Sequence, residues 1–360
     1  MPPLATQDVY PRFLKHLSAL IVLSAGLANP AWAESESVVL PVFGSQPDTG
    51  LQFGGAGFWT ASPAEDAPGA SVFFIGTLNN QYRLSLGGRI PGVVDGQTDY
   101  FEGELFVSQF PSEFYGYRSS FLAEGEGVSY DEGTLQLKMG WFYPLNQRWR
   151  AGVSGLVAGS DVTFDEPDSE LLEDVNWREG GTLGGVELSL TRDTRDVRSW
   201  PEQGARIQSL LTLAADDAGD TFAWASQSVA IYTQVQAGVV LAWGGQLQAA
   251  TSDTPFQFMP TLTGSQWLRG VRDGQFRHQS TVATQVEARF PLSPRFAATT
   301  FVHTGQVADS PANWWEEDWK RGGGLGLRYS VSDERRNNIR LDMGWVDGRR
   351  GVVISFGEAF

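Results

Sequence analysis

The 360-residue chain has no cysteine. That absence removes disulfides, Cys-ligated zinc, iron–sulfur clusters and thiol catalysis together. Histidine is scarce as well, with three in the whole chain, so neither a His-rich metal site nor any cofactor is expected. Basic residues are in deficit: 26 Lys and Arg face 42 Asp and Glu, a net charge of -16. This argues against nucleic acid as a partner, because phosphate-backbone binding needs clustered cations. Long apolar runs are missing too. A hydrophobic content of 41% is too polar for a bundle of membrane helices, yet ample for a folded body. What is plentiful is glycine, at 42 residues, with aromatics at 12%.

The chain begins with a processing pattern. Arg12 and Lys15 precede an uncharged run from Leu17 to Ala28, then Asn29-Pro30-Ala31-Trp32-Ala33. A basic stretch, a short apolar core and an Ala-x-Ala end describe an export signal over residues 1–33. The apolar core is too short to cross about 30 Å of hydrocarbon as a helix. The exported protein is therefore secreted, periplasmic, or a barrel in an outer membrane.

After residue 49 the dominant period is two. Leu135, Leu137, Met139, Trp141 and Tyr143 share one face, and Gln136, Lys138 and Gly140 the other. Ile339, Leu341, Met343 and Trp345 oppose Asn338, Arg340, Asp342 and Gly344 in the same way. Such alternation makes strands with one apolar and one polar face. A soluble sandwich alternates as well, so the polar face decides. It carries mid-strand charges: Glu102, Glu104, Lys138, Glu187, Glu287, Arg289, Arg328, Arg340 and Asp342. A wet lumen tolerates these, while a lipid-facing band accounts for the opposite row. The spacing predicts an all-β, antiparallel transmembrane β-barrel over residues 49–360, with residues 34–48 as a short periplasmic segment ahead of it.

Fifteen strands are clear, the first at 50–60 and the last at 351–360. A barrel with both ends on the periplasmic side needs an even number. The stretch 114–125 supplies the sixteenth strand; fourteen remains the count if two weak strands are misread. With sixteen, short turns at 79–80, 146–147, 236–237, 292–294 and 332–336 face one side. Long connections at 61–69, 160–180, 251–278 and 307–321 face the other, with 193–203 as a longer inner turn. The 251–278 connection is then the sixth outer loop.

That loop contains Leu268-Arg269-Gly270-Val271, which resembles the Val-Arg-Gly-Phe/Tyr motif of BamA-type barrels, the bacterial surface antigen superfamily. Other pieces are similar in order and spacing: the closing Ile354-Ser-Phe-Gly-Glu-Ala-Phe360, the stretch Gln285-Val-Glu-Ala-Arg-Phe290, and the inner turn Thr191 to Gly204. The resemblance spans residues 40–360. It implies a 16-stranded barrel whose sixth loop folds back into the lumen, where the motif arginine pairs with acids on the wall. Glu287 and Asp342 face inward by alternation and are the candidate partners of Arg269, with Gly270 beside it. His303 stands where the family often has an acid, which puts one latch contact in doubt. The family also usually carries periplasmic client-binding domains or a lipase, and neither is expected here. The function implied is envelope biogenesis in the bacterial outer membrane, by insertion or translocation of protein or lipid. The alternative is a passive or substrate-selective channel. Expected partners are outer-membrane lipid and lipopolysaccharide, and a client protein or separate periplasmic partner.

Several features carry two readings. Gly54, Gly55 and Gly57 on the first expected strand, with Phe360 on the last, suggest a seam that can part as a lateral gate. Small residues in a crowded, curved wall account for the same glycines. The acidic run between Asp161 and Glu179 suits divalent ions, and equally a solvated loop. Trp314, Trp315 and Trp319 suit a membrane interface or a packed loop. No catalytic residues are expected: no Gly-x-Ser-x-Gly elbow occurs, Gly322 to Leu327 lies in a strand with no following helix, and an inward His303 near Thr304 and Glu287 needs no catalytic role.

Overall fold

The computed structural model describes residues 35–46, 50–61, 67–92, 99–118, 120, 127–316, 318–331 and 338–360. The expected export signal lies outside them. Sixteen strands form one antiparallel sheet in chain order. They are β1 (Glu36–Gln46), β2 (Gly50–Thr60), β3 (Gly69–Thr77), β4 (Tyr82–Pro91), β5 (Tyr100–Phe114), β6 (Val128–Pro144), β7 (Trp149–Phe164) and β8 (Gly180–Asp193). The series continues with β9 (Gly204–Asp216), β10 (Thr221–Gln236), β11 (Val239–Ala250), β12 (Ser280–Pro291), β13 (Phe296–Ala308), β14 (Lys320–Ser330), β15 (Asn338–Val346) and β16 (Arg349–Phe356). Among the described residues no helix is long and apolar enough to cross a membrane.

Alternation along these strands sorts side chains by solvent, and the sorting is inside out. Glu287 is fully buried while Val286, one residue away, is 37% exposed. Ser154, Thr212, Gln285 and Asp342 are buried on the inner face; Val153, Leu211, Leu341 and Met343 are exposed on the outer one. Each such apolar side chain left in water forfeits roughly 1.5–3 kcal/mol. An outer surface of this kind suits a hydrocarbon surround and an aqueous or ionic interior.

The sheet curls around a loop of its own. Residues 251–279, between β11 and β12, touch β5, β6 and β7 on one side and β12 to β16 on the other. Phe256 packs against Phe114, Tyr130 and Phe164, while Gly270 lies against Gly344 and Gly351. Only a curled, barrel-shaped sheet puts those walls within reach of one loop.

The sixteenth strand is not where alternation suggested. Residues 115–118 and 120 form no strand, and 119 and 121–126 lie outside the described residues. The extra strand is β1, inside the stretch expected to precede the barrel. It pairs with β2 from Glu36↔Thr60 to Gln46↔Gly50. Its apolar run around Pro41 hides the period of two, and proline is tolerated because β1 ends the series of paired strands. The early connections therefore swap ends. Residues 61–68 lie at the same end as 145–148 and 194–203, here called the turn end; 78–81 lies at the opposite, loop end. From β6 onward the numbering is unaffected, so 251–279 remains the sixth loop-end connection.

Candidate functional site

The sixth loop enters the lumen as a compact lobe. The Asp273 carboxylate closes its base, with Oδ1 accepting from the backbone N–H groups of Gly264 (2.7 Å) and Ser265 (3.3 Å). Trp267, Leu268 and Phe276 pack with Leu262, Ala283, Val307 and Val346 into a buried cluster. Arg269 is thereby pushed into the wall. Its guanidinium is fully buried. Nη1 donates to Glu287 Oε2 at 2.7 Å and to Asp342 Oδ2 at 2.9 Å, and Nη2 donates to Gln285 Oε1 at 2.8 Å. The Phe301 ring covers its face at 3.4 Å. The structure thus brings together Arg269, Glu287 and Asp342, which the sequence reading had placed as candidates.

The network is larger than that triad. Arg289 Nε donates to Glu287 Oε1 at 2.9 Å. Arg328 donates to Asp342 at 2.6 Å, to Glu287 at 3.3 Å and to Glu358 at 2.8 Å. Arg340 Nη2 donates to the Ser265 carbonyl at 2.7 Å, tying the wall to the loop backbone. Glu287 therefore answers three guanidiniums at once, those of Arg269, Arg289 and Arg328. A buried charge is tolerable only with such answers. The sequence marked Arg289, Arg328 and Arg340 as lumen charges, without their partners.

Gly270 explains why the motif needs glycine. Its φ is +124°, and a Cβ there would sit 2.7 Å from the Gly344 carbonyl carbon. Gly344 on β15 and Gly351 on β16 reciprocate, so the loop backbone lies flat on bare strand backbone. Neither wall glycine was singled out from sequence.

At its other flank the loop stands on aromatic ground. Phe256 is fully buried in a cluster with Phe114, Tyr130, Phe164, Leu172 and Val175. Arg277 stacks on both Phe114 and Phe256, and Gln257 donates to Ser160 Oγ at 3.1 Å. Arg272 reaches Glu113 at 3.1 Å.

Comparison with solved structures places this arrangement. BamA from Haemophilus ducreyi lacking POTRA domains 1-3 matches with a TM-score of 0.59 at 11% identity, over 89% of this chain and 70% of that one. CdiB from Escherichia coli matches with a TM-score of 0.58 at 13% identity, over 90% of this chain and 62% of that one. The fold is that of the BamA and CdiB barrels. CdiB from Acinetobacter baumannii agrees, with a TM-score of 0.55 at 11% identity over 89% of this chain and 59% of that one. The chain spans less than two thirds of either CdiB chain. No family model and no curated protein sequence matches it.

Within this BamA-like barrel, five expected site residues do not play the part the sequence suggested. His303 is buried on the inner wall beside Phe301, at 5.6 Å between ring centroids, and makes no hydrogen bond to Arg269. The ring of Phe301, two residues earlier, meets the arginine instead. Gly54, Gly55 and Gly57 lie on β2, between β1 and β3, so they are one strand in from the terminal strand rather than on it. Phe360 is not on β16. Strand pairing stops at Phe356, Gly357 turns with φ +81°, and the chain enters the lumen. There Phe360 stacks between Tyr232 and Trp267 at 6.2 and 6.3 Å. Glu358 follows the same turn, with a side chain only 4% exposed, and is a buried partner of Arg328. Among the described residues, no group of carboxylates is arranged to hold a metal ion, the acidic stretch 161–179 included.

Two expected results follow from the loop's anchorage. Asp273→Ala should cost the docked loop about 1–2 kcal/mol, the worth of its two backbone contacts. Limited trypsin digestion checks it: the variant should be nicked at Arg269 or Arg272 faster than the parent. The second concerns phenols near the loop. Burial, aided by the Glu113 carboxylate, pushes Tyr115 up to about 12, and burial pushes Tyr117 up to about 12. A phenol raised above its unfolded value stabilises the fold below about pH 10, and that contribution is lost as pH climbs toward the folded value. Ultraviolet titration should find these two still protonated after the exposed tyrosines have ionised; ionisation of both by pH 10.5 would contradict the burial.

Proposed function

We propose that this chain is an outer-membrane barrel of envelope biogenesis, acting in insertion or translocation of protein or lipid. The turn end would face the periplasm and the loop end the exterior. The observation that carries this is the sixth loop latched across the lumen by Arg269, on a fold shared with BamA and CdiB barrels. A cork held by buried ion pairs suits a protein that works through its wall and its contact with lipid rather than through an open bore. Lipid, lipopolysaccharide and a client protein or periplasmic partner are the proposed contacts, and no catalytic step is assigned to the barrel.

The test is reconstitution. Liposomes carrying the folded protein should accelerate the insertion of an unfolded outer-membrane barrel, and removing the protein from its host should alter outer-membrane protein or lipid composition. Unchanged insertion together with unchanged composition would sink the proposal. A substrate-selective channel is the second reading, favoured by the open cavity of about 1340 Å³ toward the turn end. Planar-bilayer recording separates the two: a mostly closed, flickering conductance is expected of the corked barrel, a large steady one of the channel.

A further inference from the structure

The turn between β8 and β9 is much longer than others at the same end. The turns 145–148 and 292–295 take four residues each, while this one takes ten, 194–203. Its own hydrogen bonds make it one stiff piece. Arg195 holds both oxygens of Asp193, at 2.9 and 2.7 Å, and donates to the Arg198 carbonyl at 3.2 Å. Asp196 Oδ1 accepts from the backbone N–H groups of Val197, Glu202 and Gln203. The piece has two sides. Residues 195–199 line the open turn-end cavity, and Val197 is exposed there. Trp200 and Pro201 turn away from that cavity and are buried.

Trp200 is seated far from its own strands. Gly204, Tyr232, Ala242 and Glu287 are successive partners across β9 to β12. Three strand spacings, roughly 14 Å, therefore separate the end of the turn from β12. Yet Arg289 of β12 lies over the Trp200 ring at 5.0 Å, and its Nη1 donates to the Pro201 carbonyl at 3.4 Å. On its other side Arg289 Nε holds Glu287 Oε1 at 2.9 Å, and Glu287 Oε2 takes Arg269 at 2.7 Å. Trp200, Arg289, Glu287 and Arg269 thus run in contact from the turn to the loop. Trp200 also shares with Arg328 a crevice of about 10 Å³, room for one water at most.

We propose that the 194–203 turn is a strap that controls the seating of loop six from the turn end. The strap divides the wet cavity from the ionic network. While it is closed, withdrawing Arg269 strands Glu287 and Asp342 in a dry wall, and that penalty holds the loop in place. Once it lifts, cavity water reaches Arg289 and Glu287 and answers the stranded charge, so the loop leaves at lower cost. Lifting the strap and releasing the loop favour each other by the same factor in both directions. The coupling is independent of what the barrel inserts or conducts.

Limited trypsin digestion of the folded, full-length protein in detergent tests this, with cut sites read by mass spectrometry at early times. Trp200→Ala should raise cleavage at Arg269 and Arg272 roughly tenfold, although the substitution lies in a different turn. Cleavage inside the strands, at Arg206 and Arg289, should stay as in the parent, which separates release of the loop from general unfolding. Val197→Ser on the cavity side of the strap should leave the loop protected. The reciprocal arm starts from the loop: Gly344→Val, which crowds the loop backbone, should raise cleavage at Arg195 and Arg198 along with that at Arg269. The proposal is overturned if Trp200→Ala is cut in the strap while its loop stays as protected as the parent's, or if a variant with a freed loop keeps the parent's strap cleavage. Should Trp200→Ala fail to fold, Trp200→Phe takes its place, and a loop as protected as the parent's again counts against the strap.

Discussion

Glu287→Gln is expected to destabilise the folded barrel by about 3–5 kcal/mol, the range for removing one side of a buried ion pair. The substitution keeps the shape of the side chain and removes only its charge. Three guanidiniums, those of Arg269, Arg289 and Arg328, then share Asp342 and Glu358 in a wall that water does not reach. The midpoint of urea unfolding in detergent, read by heat-modifiable gel migration, should fall clearly. Arg269→Ala should fall less, because it removes a cation from a cluster richer in arginine than in carboxylate. In the double variant the two losses should not add, since both partners have gone. A Glu287→Gln protein that unfolds at the parent's urea concentration would show that the loop is held by its apolar contacts alone.

Gly344→Val should expel the loop while leaving the strands paired. A Cβ on Gly344 would lie 1.8 Å from the Arg269 carbonyl oxygen and 2.3 Å from its carbon. The loop cannot step aside, because Gly270 is also pressed on Gly351, where an added Cβ would meet it at 2.9 Å. Withdrawal of the loop strands Glu287 and Asp342 without Arg269, so the cost is of the same order as breaking the latch directly, about 3–5 kcal/mol. The expected signs are rapid tryptic cleavage at Arg269 and Arg272 and a larger, steadier conductance. A protected loop in this variant would mean that the backbone contact is not what seats it.

Much of the barrel was legible because its two faces meet different solvents. Rows such as Leu341, Met343 and Trp345 against Arg340, Asp342 and Gly344 record that difference at every second residue. Parity then required one more strand, but the alternation misplaced it. In β1 the run Val38-Val39-Leu40-Pro41-Val42-Phe43 is apolar on both faces, so no period marks it. Residues 114–125, aromatic and spaced, gave the stronger pattern. They carry the end of β5 and then Tyr115 and Tyr117, which pack beneath the loop rather than pair as a strand.

In the site, Arg269, Glu287 and Asp342 were accessible from a motif plus inward parity. Arg328 and Glu358 were visible only as charges, since their partnership depends on Gly357 turning the chain off β16 into the bore. Period-two patterns say which way a side chain points, not where a strand stops. Nor does a glycine in a strand announce its purpose. Gly54 and Gly57 drew notice for their density, whereas Gly344 and Gly351, isolated among ordinary strand residues, are the two on which the loop rests.

The sixth loop stands on two feet made of different materials, rings at β5 to β7 and charges at β12 to β16. A curved wall of hydrogen-bonded strands resists being stretched across its rungs far better than being bent. A strut across the bore opposes the bending and feels it first. Sideways pressure from a thickened or crowded bilayer would thus load the ionic foot, making the seating of Arg269 a gauge of the barrel's roundness.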